Sequence, residues 1–85
     1  MASRQELIRA LDLAVAGDWD GAHAIVQKYE DDAVACWLHA VLHKIEGDES
    51  NSRYWYGQAG RSYADFADVK AELSAIRAAV GEPVI

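Results

Sequence analysis

Residues 37–60 read WLHAVLHKIEGDESNSRYWYGQAG, and the reading of this stretch decides the fold. It holds two of the chain's three Trp and two of its three His. With the residues just before it, it places Val34, Leu38, Val41 and Ile45 on one face at helical spacing. Gly47 follows, where glycine accepts a left-handed stop at low cost, and Lys44 meets the negative end of the helix dipole. Asp48 or Ser50 can cap a second helix, which Gly60 closes. On that helix Ser52, Trp55, Tyr56 and Ala59 form a core-like face, while Asn51, Tyr54, Gln58 and Arg61 form a polar one. Gly57 inside it costs helix stability, so it predicts close approach by a packed helix or, less favoured, by a ligand.

Toward the N-terminus, Ser3-Arg4-Gln5-Glu6 has capping-box spacing. It opens a helix over about 4–16, with Leu7, Leu11 and Ala14 on one face, widened by Ile8 and Val15. Gly17 stops it and Asp18 caps a second helix over about 19–30. Ala22, Ile25, Val26 and Tyr29 line its stripe, and Trp19 is expected to pack across the first helix. Asp31-Asp32 then supplies negative charge at the start of a helix over about 33–46. Cys36, His39, His43 and Glu46 oppose that helix's apolar face, which predicts contact on both sides and a central position. Beyond Gly60, Ser62 caps a last helix over about 63–80. Its stripe is Phe66, Val69, Leu73, Ile76 and Val80, with Asp65, Asp68, Glu72 and Arg77 off it. Gly81 and Pro83 end it, and the last four residues are expected to form a loose tail.

The totals bound the function. Eighty-five residues make a single domain, 1–85. With 14 Asp and Glu against 8 Lys and Arg, the net charge is −6, so a phosphate backbone finds no electrostatic footprint. There is no basic amphipathic face for an anionic membrane and no apolar run long enough to span one. The N-terminal stretch carries Glu6 and Asp12, which is wrong for a secretory signal. Cys36 stands alone, so no internal disulfide forms. The expected setting is the cytoplasm of a bacterium.

The turns Gly17-Asp18 and Gly47-Asp48 lie 30 residues apart, and each joins two helical segments. Superposing them matches Ala10 with Ala40, Ala22 with Ser52, Val26 with Tyr56 and Tyr29 with Ala59. Ala40, Gly47-Asp48, Ser52, Tyr56 and Ala59 resemble the pattern of tetratricopeptide repeats, and Ala10, Gly17-Asp18 and Ala22 match it less fully. The resemblance covers most of residues 5–60. It departs in its period, which is about 34 in that family, in lacking a proline after the second helix, and in having two units. It implies an all-α fold of five helices, two stacked hairpins plus a C-terminal capping helix. It also implies binding of a protein or peptide in a groove lined by the first helices. The stretch further resembles an HAxLHxxEGDxxNxxYWYxxAG pattern of small uncharacterised bacterial proteins, which implies no activity.

Two readings of function follow. In the favoured one the protein is a small interaction module that binds a protein or peptide, or a second copy of itself. Tyr54 is the anchor, Arg53 and Arg61 flank it, and Gln58, His39 and His43 complete the candidate surface. In the alternative, the face carrying Cys36, His39 and His43 binds a small ligand or a metal, with His39, His43, Tyr54 and Arg61 lining a pocket. For a metal, Cys36, His39, His43 and Glu46 are the ligand types in C-x2-H-x3-H order, and His23 could add a fourth. The competing explanation is that these side chains are packed and hydrogen-bonded core. No cofactor is expected. No G-x-S-x-G, H-E-x-x-H or P-loop is present, and His43 with Glu46 is the one local acid–base pair, so an enzyme ranks third.

Overall fold

The computed structural model describes residues 2–81. Among these the chain forms α1 (Arg4–Val15), α2 (Trp19–Val26), α3 (Ala33–Ile45), α4 (Glu49–Ala59), a 3₁₀ turn (Tyr63–Asp65) and α5 (Val69–Val80), with no strand. Pro83 and the expected tail lie outside the described residues. No described helix is long and apolar enough to cross a membrane.

The two Gly-Asp turns repeat each other bond for bond. Gly17 and Gly47 have φ of 87° and 82°, the left-handed region that a side chain adopts only with strain. In the first turn the Asp18 amide donates to Leu13 O at 2.8 Å and the Gly17 amide to Ala14 O at 3.1 Å. In the second, Asp48 donates to His43 O at 2.9 Å and Gly47 to Lys44 O at 3.1 Å. This Schellman arrangement satisfies carbonyls the helix end leaves open. Asp18 and Asp48 then accept from the Gly21 and Asn51 amides, capping α2 and α4. The superposed positions are equally buried: Ala10, Ala40, Ala22 and Ser52 are at 0% exposure, and Val26 and Tyr56 at 1%. Ser52 fills its small position while donating its hydroxyl to Ala40 O at 2.7 Å.

Helix α1 pairs with α2, α3 pairs with α4, and α5 lies across α1 and α3. Helix α3 is therefore covered on several sides, and Ala35 to Leu42 are buried without interruption. Its two-sided character is met within one chain.

Several expectations need correction. Helix α2 ends at Val26 rather than near residue 30, although Tyr29 still packs on the core and donates its hydroxyl to Glu6. Trp19 also reaches α3, its indole N–H donating to Leu42 O at 2.6 Å. Val15 and Ile45, assigned to apolar stripes, are 64% and 45% exposed. Gly57 faces open space, and a Cβ there would meet nothing within 4 Å. No packed helix explains it. Gly57→Ala should therefore stabilise the protein by about 0.5–1 kcal/mol, read as a rise of about 4–8 °C per kcal/mol in the thermal midpoint.

The last helix is broken where one continuous helix was expected. Ser62 caps only the 3₁₀ turn, Phe66 is extended, and Asp68 caps α5 by accepting from the Lys70 amide. The break leaves the carbonyls of Tyr63 and Phe66 outside any helical ladder. Lys44 Nζ donates to both, at 3.0 and 3.2 Å, and pairs with Glu72 Oε1 at 2.9 Å. Glu72 is wholly buried, not off the stripe. Its Oε2 accepts from the Trp37 indole at 2.9 Å and from the Tyr56 hydroxyl at 2.5 Å. Burial, then the bond to Glu72, raises the Tyr56 phenol far above its ordinary pKa. The Lys44 ammonium also lies over the Tyr56 and Tyr63 rings, 4.8 Å from each centroid.

Candidate functional site

The two halves of the repeat bring three imidazoles together. His39 and His43 stand one turn apart on α3, and His23 comes from the middle of α2. The Trp19 bond to Leu42 O ties the start of α2 to the second half of α3 and sets the height of His23. The His23 ring lies 4.8 Å from that of His39 and 5.6 Å from that of His43, edge-on to both. His39 and His43 stack at 5.1 Å. One ring nitrogen from each of the three lies within 4.8 Å of the others.

Indoles wall the cluster. Trp19 stacks on His23 at 4.7 Å and meets His43 edge-on at 5.8 Å. Trp55 stacks on His39 at 4.0 Å, nearly parallel. His39 is buried, whereas His23 and His43 are half-buried and reach solvent. Burial first, then the neighbouring His23 and His43, push the His39 pKa down to about 4. His23 is lowered by burial and by His43, with Glu46 and Asp20 opposing. Both rings are therefore chiefly neutral at pH 7 and keep a lone pair on one nitrogen. His43 Nδ1 lies 2.6 Å from Glu46 Oε1. A carboxylate can only accept there, so Nδ1 carries a proton toward Glu46.

The metal set read from the sequence is only partly brought together. Cys36 is not in it: seven residues before His43 is two helical turns, about 10.5 Å along the axis. Its thiol is buried and donates to Glu30 O at 3.2 Å, and burial raises its pKa. His23, offered as an addition, belongs to the cluster. Glu46 touches His43 from outside. Asp48 also falls within 4.8 Å of His43 and Glu46. Its carboxylate, however, accepts from the Asn51 amide, the Asn51 side chain and Ser50.

The proposed pocket of His39, His43, Tyr54 and Arg61 is not assembled. Trp55 stands between Tyr54 and His39, with Tyr54 edge-on to it at 5.0 Å. The Arg61 guanidinium lies over the Trp37 ring, 3.5 Å from its centroid. Arg53 pairs with Glu49 at 2.7 Å and covers the Tyr63 ring at 4.4 Å. Gln58 is exposed, and Tyr54 is 57% exposed. Of that surface, the tyrosine alone offers an open aromatic side chain, while both arginines are engaged within the chain.

A second concavity went unread. Ala14, Val15, Ile45, Val69 and Leu73 floor a groove of about 780 Å³ between α1, α3 and α5. Lys44, Lys70 and Arg77 line it, and no carboxylate does among the described residues. The signal was present: Val15 and Ile45 occupy equivalent positions before the two Gly-Asp turns, and both end their helices apolar. No known protein family, curated protein or solved structure matches the chain.

Proposed function

We propose that the protein is a small interaction module that takes a short apolar segment with acidic flanks into the groove between α1, α3 and α5. The observation that carries this is the lining. In a chain of net charge −6, three of the 8 Lys and Arg border one apolar groove that has no acid in its walls among the described residues. Val15 and Ile45 leave aliphatic surface open there that a partner's side chains can cover. Lys44 is spoken for by Glu72 and Arg77 pairs with Asp12 at 2.8 Å. Lys70 makes no side-chain bond among the described residues and is the cation left for an acidic flank. Helices α1 and α3 are the first helices of their hairpins, the position from which the tetratricopeptide resemblance implies recognition. None of Tyr54, Arg53, Gln58 and Arg61 lines this groove.

The test is fluorescence anisotropy with a labelled peptide bearing two leucines between glutamates. Ile45→Glu and Val15→Glu should each weaken binding at least about tenfold, the equivalent of about 1.4 kcal/mol, without lowering the unfolding midpoint. Tyr54→Ala should leave binding intact. Loss on Tyr54→Ala with Ile45→Glu unaffected would move the surface to α4. Sedimentation decides whether a second copy occupies the groove, because Ile45→Glu would then abolish a dimer.

A further inference from the structure

We propose that His23, His39 and His43 bind one divalent first-row transition-metal ion, with Zn²⁺ as the type, through one ring nitrogen each. The site is independent of the groove, and it rests on convergence from two helices rather than on spacing along one.

The donor set fits this class of ion. Neutral imidazole suits Zn²⁺, Cu²⁺, Ni²⁺ and Co²⁺, while Mg²⁺ and Ca²⁺ call for oxygen. Two ligands at i and i+4 with a third from a neighbouring segment give a three-histidine set that leaves one tetrahedral position open. A Zn–N length of about 2.0–2.1 Å in tetrahedral geometry requires nitrogens about 3.3 Å apart. The three nitrogens lie within 4.8 Å of one another, so the rings close by no more than about 1.5 Å.

The surroundings match a ligating role better than a packing one. Glu46 on His43 Nδ1 is the carboxylate–imidazole arrangement that fixes ring orientation and raises ligand basicity. Trp55 and Trp19 hold the His39 and His23 ring planes by stacking. Aliphatic side chains would fill the same volume without placing three bases where each opposes protonation of its neighbours. His23 and His43 reach solvent while His39 does not, so water or a ligand donated by a partner has access to the site.

The experiment uses the full chain without a histidine tag, stripped with chelator and titrated with Co²⁺ and then Zn²⁺. The expected result is one equivalent of Co²⁺ with the intense visible bands of tetrahedral coordination and no thiolate charge-transfer band. Zn²⁺ should displace it. Because His39 is buried and its variants need not fold, His23→Gln is the deciding variant. It should weaken Co²⁺ binding by at least about 100-fold, the upper end of what loss of an outer-shell partner costs. Glu46→Gln should weaken it by about 10–100-fold, and Cys36→Ser should leave it unchanged. A pale octahedral spectrum, absence of binding, or a titration indifferent to His23→Gln would overturn the proposal.

Discussion

Replacing Glu72 with alanine is expected to cost about 3–5 kcal/mol, the usual loss when one member of a buried ion pair is removed. The carboxylate is fully buried and accepts from Lys44, Trp37 and Tyr56 at once. Its removal leaves an ammonium with two carbonyl partners and no counter-charge, and an indole N–H and a phenol with no acceptor. A chain of 85 residues is stable by only on the order of 4–13 kcal/mol. Glu72→Ala should therefore leave the protein partly or wholly unfolded at 37 °C, as read by far-UV circular dichroism and urea titration. Lys44→Met combined with Glu72→Gln should cost less than Glu72→Ala, since the uncompensated charge is gone. A loss below about 1 kcal/mol for Glu72→Ala would mean that water reaches the pair.

Acid should destabilise the metal-free protein well before its carboxylates titrate. An unfolded histidine has a pKa of about 6.5, while burial and the charges of His23 and His43 lower folded His39 to about 4. Between these values the unfolded chain binds more protons, so stability rises with pH across the window. It is fully present above the unfolded pKa and is lost as pH falls toward the folded one. The loss is about 2 kcal/mol by pH 5 and about 3 kcal/mol by pH 4 from His39 alone. His23, lowered in the same sense, adds to it. The groups that face His39 are His23 from α2, His43 on its own helix α3 and Trp55 from α4, and Glu46 bonds to His43. Urea midpoints for wild type and His39→Leu between pH 7 and 5 check the prediction. The variant should give the flatter profile, and parallel profiles would show that the ring stays solvated in the folded chain.

The hairpins were legible because their signals are local. Gly17-Asp18 and Gly47-Asp48 fix both a helix stop and a helix start within two residues, and the matched burial of Ala22 and Ser52 follows from the same register. The broken last helix was not legible by the stripe alone. Phe66 fits the helical period, yet Asp65 and Asp68 both favour caps, and Lys44 holds the freed carbonyls from another helix. Glu72 could have been placed inside, since it lies three residues after Val69 and four before Ile76 on the same face. Its partner sits 28 residues away, and no local rule connects them. At the imidazole cluster, i and i+4 spacing identified His39 and His43. Cys36 shares their angle on the helix but not their height along it, and His23 joins them only through the packing of α2 on α3.

The placement of the indoles sorts them into two optical populations. Trp37 is sealed in the core under the Arg61 guanidinium, tied to the Glu72 carboxylate. Trp19 and Trp55 lie flat against imidazoles, and an imidazolium quenches an indole that its neutral form leaves bright. Emission from the unmodified protein thus carries two signals: intensity from the histidine face, and wavelength from the buried ring that α5 covers. The two faces of this small helical protein can be followed separately in one cuvette without a label.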